Sequence, residues 1–400
     1  MTHASWRHQP FKAIYLSYEL FSAFVRIPWW ALVALPRSQR PVKSWTWRRT
    51  MHVKLVRRLT ALSGVVGPLI SLPDHRELAP GPGFDAVWVD PVPEEFVRGK
   101  LTMWASLADV ARVKLPGYWM HKTGSKVEVV APLAPGEKIV YALHGGAYTR
   151  LSAHPNDPTS GIARGLLQHV DTVRRTFAIE YRLSSTFPYP VANPFPTALL
   201  DALAGYHYLV HTLRIPPEDI IIDGDSAGGN LALALTRYLV EEAALPAPGA
   251  LVLFSPWCDI GKSHASRGGS YDTCVVSDYL KIPRDGVHYS ALAFTGLWGL
   301  GAANVNVYIS PASLLLTKVS FEKWPRTLRT FVSAGGSEVL RDEVRTLVER
   351  MKRDMGDDRV RYLECEDGVH DFCVFDNGVH DPERTQTLQA VRDWLTEGSN

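Results

Sequence analysis

DIIIDGDSAGGNLALAL, residues 219–235, sets one serine among glycines where two different kinds of chain meet. The isoleucines before it make an apolar burst of strand length, and the leucines and alanines after it suit a helix. Gly224-Asp225-Ser226-Ala227-Gly228 fits the pattern G-x-S-x-G, a sharp strand-to-helix turn that holds a serine hydroxyl above the end of a sheet. Small residues two positions to either side let strand and helix approach each other. The helix then aims free N–H groups at the serine, where developing negative charge is favoured.

The same alternation extends outward from this turn. Residues 126–132, 138–146, 173–183, 219–226, 249–257, 328–336 and 359–368 read as strands, and several are apolar throughout, as strands covered on both faces are. Helical patterns occupy 197–213, 230–243, 339–355 and 383–396. Strand and helix alternating in this way predict an α/β fold with a mostly parallel, doubly wound sheet and helices on both faces. Residues 258–313 break the alternation with aromatics among glycines, and are expected to form an insertion over the sheet edge.

The net charge of +2 on 400 residues gives no reason to expect a nucleic-acid partner. Cys258, Cys274, Cys365 and Cys373 form no CxxC pair and no finger spacing, so free buried thiols are expected. The chain has no Asn-x-Ser/Thr site, which favours an intracellular location. Residues 12–36 are the most apolar stretch, with Lys12, Glu19 and Arg26 at intervals of seven and Pro28 as a break or kink. Acid-free basic chain follows, from Arg37 to Arg58. This composition suits a helix lying in a membrane interface, a lid over the protein's own site, or, at a cost for its charges, a membrane span.

A serine hydroxyl needs a base and an orienting acid before it becomes a nucleophile. His370, in GVHDF (368–372), follows the last strand; a second GVHD offers His380, which reads as a surface or capping residue before the final helix. Glu338 lies in the loop after the strand at 328–336, whereas Asp342 and Glu343 fall in the next helical turn. Glu338 is the favoured acid and Asp342 the alternative. Upstream, HGGAY (144–148) closes another strand and offers the N–H groups of Gly145 and Gly146 to an oxyanion, with Ala227 as a third donor. The order Ser226, Glu338, His370 is that of the G-x-S-x-G hydrolases. No metal or organic cofactor is expected, and no Gly-rich phosphate loop is present.

Linked motifs extend the pattern: EYRLS (180–184), PFPTALLDAL (194–203), SPWCD (255–259), YISP (308–311) and GGSEVLRDE (335–343). Together with HGGAY and GDSAGGNLA (224–232) they resemble the hormone-sensitive-lipase-like esterases of the α/β-hydrolase fold, over about residues 100 to 396. The resemblance implies Ser226 as nucleophile, a helical cap, and hydrolysis of short-acyl or acetyl esters of an apolar alcohol. Glu-Val-Leu at 338–340 and Ala147 depart from the family's usual residues. The apolar N-terminus resembles fungal steryl-acetate deacetylases and arylacetamide deacetylases, which implies association with the endoplasmic reticulum or a lipid-droplet surface. Residues 1–100 are then an anchor or cap extension, and 101–400 a catalytic domain with its insertion at 258–313. An amidase or formamidase of the same fold would use the same residues, and a non-catalytic small-molecule receptor is a further alternative.

Overall fold

The computed structural model describes residues 3–397, except 126 and 283–287. Its strands are β1 (Phe84–Val89), β2 (Leu115–His121), β3 (Lys138–Leu143), β4 (Val173–Ile179), β5 (Ile220–Asp225), β6 (Ala250–Phe254), β7 (Arg329–Gly335) and β8 (Val360–Cys365). They form one sheet in the order β1-β2-β4-β3-β5-β6-β7-β8. The β1/β2 and β2/β4 pairs are antiparallel, and the pairs from β4 to β8 are parallel.

Successive residues of the parallel strands go to opposite cores. Ile139, Tyr141 and Leu143 of β3 join one apolar cluster with Ile220 and Ile222 of β5, whereas Val140 and Ile221 join another. A period of two within an unbroken apolar run is what a strand buried on both faces requires. The helices are α1 (Phe11–Val33), α2 (Trp47–Val66), α3 (Gly99–Leu107), α4 (Ser160–His169), α5 (Thr197–His207), α6 (Ala227–Glu242), α7 (Ser270–Thr273), α8 (Tyr289–Thr295), α9 (Gly299–Val305), α10 (Arg341–Met355) and α11 (Glu383–Thr396). Leu101, Leu203, Leu231 and Leu347 bring α3, α5, α6 and α10 to the first cluster. Leu166 and Leu388 bring α4 and α11 to the second, with Val53 of α2.

Three expectations are corrected. Residues 127–132 form no strand, and Lys126 lies outside the described residues. Instead, Arg175 Nη1 donates to the carbonyls of Glu128, Val129 and Ala131 at 2.9, 3.1 and 3.0 Å, curling the segment over the buried Arg175–Glu137 pair. The sheet edge there is filled by β1 and β2. The helix expected to reach residue 213 leaves α geometry at His207 and continues as a π turn, Tyr208–Thr212. Pro28 does not divide the N-terminal helix; α1 runs through it.

In α1 the polar stripe faces inward. Glu19 is buried and pairs with Arg26 at 3.1 Å and with Arg58 of α2. The outward stripe, Ile14, Tyr18, Phe21, Val25, Trp29 and Leu32, is 55–79% exposed. Among the described residues, no helix is long and apolar enough to cross a membrane.

Candidate active site

Ser226 sits between β5 and α6 with φ 51° and ψ −116°, a backbone that residues with a side chain rarely adopt. The neighbouring chain holds it there. Its N–H donates to the Phe254 carbonyl at 3.0 Å, and its own carbonyl accepts from Trp257 N at 2.9 Å. The two glycines of the motif are needed for close approach: a β-carbon on Gly224 would overlap the Gly228 carbonyl, and one on Gly228 the Leu143 carbonyl. The serine lies above the carboxyl end of a central strand, where ligands bind in open α/β sheets.

His370 follows β8, and its Nε2 is 3.0 Å from Ser226 Oγ. The same nitrogen lies 2.9 Å from Asp371 Oδ2, and burial raises that carboxyl well above the usual range. Glu338, after β7, is fully buried; its Oε2 accepts from Ser255 Oγ at 2.6 Å and from Gly335 N at 2.9 Å. Its Oε1 has no hydrogen-bond partner, and neither has His370 Nδ1. Burial lowers the His370 pKa, while the Glu338 and Asp278 carboxylates oppose that shift. The imidazole is therefore neutral at neutral pH. Burial also raises the Glu338 carboxyl, and a proton on His370 and the Ser255 hydroxyl pull it back down, so that it ionises as the imidazolium forms.

The alternative residues do other work. Asp342 accepts from Ser270 N at 2.7 Å and pairs with Arg341 at 3.1 Å. Glu343 is buried against Tyr271 and the Cys258 N–H. His380 is not a surface residue: it is buried, faces His52 Nδ1 at 3.2 Å and stacks on Phe375. Its local sequence led into a helix, but its ring packs against His52 of α2, distant in sequence. All four cysteines are buried.

The glycine loop after β3 departs from expectation at one donor. Gly145 N–H donates to Asp225 Oδ1 at 2.9 Å, so it is not free to meet an oxyanion. Among the described residues, the N–H groups of Gly146, Ala147 and Ala227 have no acceptor. Gly146 has φ 102°, which favours glycine. His144 fixes the loop by stacking on Tyr181 at 4.1 Å, and the Tyr181 hydroxyl donates to the His144 carbonyl at 2.6 Å. Burial brings His144 down to about 4, so it is a neutral packing group.

Two groups near His370 were not singled out from sequence. Asp278 Oδ1 accepts from His370 N at 3.3 Å and its Oδ2 from Val339 N at 2.8 Å, tying the two loops together. It lies within 258–313, where the sequence shows only an aromatic and glycine-rich insertion. Asn230, one turn into α6, accepts from Tyr148 OH at 2.7 Å and donates to the Ile309 carbonyl at 2.8 Å. Tyr148 also stacks on Phe294 of α8 at 3.8 Å, and Ser226 is left 8% exposed.

A model of the alpha/beta hydrolase fold matches residues 139–374. The chain belongs to the α/β-hydrolase fold family. An acetyl-hydrolase of Streptomyces hygroscopicus is 32% identical over 143 residues, 35% of this chain and 44% of that one. Esterase LipU of Mycobacterium tuberculosis is 27% identical over 311 residues, 74% of this chain and 93% of that one. The chain spans under half the length of the acetyl-hydrolase and of a similar esterase from Acinetobacter venetianus, 44% and 41%. A solved esterase from the bacterial hormone-sensitive lipase family has the same α/β-hydrolase fold, with a TM-score of 0.58 at 22% identity, covering 89% of this chain and 100% of that one.

Proposed function

We propose that this protein is a carboxylic-ester hydrolase that works through an acyl-enzyme on Ser226. The observation that carries the reading is the 3.0 Å separation of His370 Nε2 and Ser226 Oγ at the strained turn. His370, neutral at rest, takes the hydroxyl proton as Ser226 attacks the ester carbonyl. Glu338 orients the ring through Nδ1 and stabilises the imidazolium; the unpartnered Oε1 and Nδ1 are the two atoms this contact would join. Ala227, Gly146 and Ala147 supply N–H groups to the oxyanion, each such donor contributing about 3 kcal/mol to the transition state. His370 then returns the proton to the leaving alcohol, and a water it activates releases the acid.

The relatives named acetyl-hydrolase and ethyl acetate hydrolase support short acyl groups. The apolar rings of Tyr148, Phe294 and Tyr279 around the site support an apolar alcohol. Residues 258–313, together with 1–100, would form a cap over a catalytic body at 101–400. The outward stripe of α1 would seat in a lipid interface, because an exposed apolar band of this size on a folded surface marks a contact with something apolar. Hydrolysis of p-nitrophenyl esters from acetate to palmitate tests the proposal. Short esters should turn over, and Ser226→Ala should reduce kcat by about a millionfold. An alanine variant as active as the parent, or a parent inert on every ester, would remove it.

A further inference from the structure

A groove of about 340 Å³ lies between α1, α2 and the chain just before the undescribed residues 283–287. Its walls are of two kinds. Trp30, Pro41, Val53, Ala61 and Val276 make an apolar side. Lys54, Arg57, Arg58 and Lys281 make a cationic one, and among the described residues no carboxylate lines the groove.

The cations are poorly matched by the protein itself. Arg58 is paired with Glu19. Among the described residues, Arg57 donates only to a neutral acceptor, the Asp278 carbonyl, at 3.3 Å. Lys54 and Lys281 have no ion-pair partner among the described residues. Burial lowers the Lys54 pKa with no carboxylate raising it, the sign of an ammonium held beside apolar surface without a counter-charge. Such a charge favours an incoming anion, and the apolar wall beside it favours an alkyl chain.

We propose that this groove binds a single-chain anionic amphiphile, a fatty carboxylate, with its head on Lys54 and Lys281 and its chain along Trp30, Val53 and Val276. The volume is at the small end of the range for ligand sites, about 300–1,000 Å³, which suits one chain and not a two-chain lipid. The groove is not the site at Ser226. Asp278 stands between the two, its carbonyl toward Arg57 and its carboxylate on the His370 N–H. The site itself follows from the groove. The choice of a carboxylate among anionic heads rests on the ester-hydrolase reading, since that reaction releases one.

The test is calorimetric titration of the full chain with dodecanoate below its micelle concentration. Ser226→Ala protein serves as the host, so that the result does not depend on turnover. Dodecanol, dodecyltrimethylammonium and dodecyl phosphate serve as comparison ligands. Dodecanoate should bind one to one, tighter than the alcohol or the cation. Lys54→Met/Lys281→Met should weaken it by roughly tenfold or more, as loss of charge-assisted hydrogen bonds does. Val276→Trp, which fills the groove from an exposed position, should abolish binding while the circular dichroism stays unchanged. Affinity unaffected by both variants would place the ligand elsewhere and overturn the proposal. Equal binding of dodecanol would also overturn it, as would binding of dodecyl phosphate without dodecanoate, or association only with anionic phosphatidylglycerol vesicles.

Discussion

Replacing Glu338 by glutamine separates the charge at that position from its shape. The carbonyl oxygen of the amide can still accept from Ser255 Oγ and Gly335 N, the two bonds that Oε2 accepts. The amide nitrogen then takes the position of Oε1 and presents a donor toward His370 Nδ1. That donor favours the ring tautomer with its proton on Nε2, which cannot accept from Ser226. Loss of the acid in an otherwise intact triad costs about 10⁴ in kcat. At about 1.36 kcal/mol per factor of ten, this is about 5.4 kcal/mol of transition-state stabilisation. Folding should change little, because burial already disfavours the charged carboxyl and the amide has no charge to bury. Asp342→Asn is the matched control. It weakens the acceptor for Ser270 N and the pair with Arg341, for about 1 kcal/mol of stability, and leaves turnover within about threefold. Both variants are assayed by p-nitrophenyl acetate hydrolysis and by urea unfolding. The assignment of the acid is refuted if Glu338→Gln keeps more than about a tenth of the parental kcat, or if Asp342→Asn is the variant that loses activity.

Burial sets His370 below its ordinary pKa of 6.5, so the acid limb of kcat/KM should lie below that pH. Asp278→Asn removes a charge that raises the ring, and should move the limb lower still; a limb above 6.5 in the parent would contradict this. His144, His288 and His380 are held by burial at about 4, about 4 and about 3. The unfolded chain protonates its imidazoles first, so their stabilisation is complete above pH 6.5 and is lost as the pH falls toward 4. The parent's urea midpoint should therefore drop more, or rise less, from pH 7 to pH 5 than that of His380→Asn, and an equal change in the two would exclude this account. For α1, Phe21→Asp with Val25→Asp should weaken flotation with phosphatidylglycerol vesicles at least about a hundredfold, given about 1.5–3 kcal/mol per buried apolar side chain. Unchanged flotation would exclude that stripe as the contact.

Strands β3, β5, β6 and β7 were legible because each carries an apolar burst fixed by burial on two faces, a local signal, and β4 and β8 because shorter apolar stretches stand among their charged residues. β2 was not, since Pro116 and Gly117 read as breakers; at this antiparallel edge their neighbours Tyr118 and Trp119 supply the buried surface. Residues 127–132 have the composition of a strand, but Arg175, more than forty positions away, binds their carbonyls. The turn at Ser226 and the loops bearing Glu338 and His370 could be read from short motifs at strand ends. The engagement of Gly145 could not, because its acceptor is the side chain of Asp225, eighty residues downstream. Nor could Asp278, whose link to His370 spans 92 positions.

The two bonds of Asn230 make two segments far apart in sequence depend on one side chain. One side chain on α6 clips the Tyr148 loop to the chain at Ile309, shortly after α9. Gly146 and Ala147, whose N–H groups have no acceptor among the described residues, immediately precede Tyr148 in that loop. A change at Asn230 would therefore loosen the free donors and the chain at Ile309 together, although the Asn230 side chain bonds to neither Ser226 nor His370.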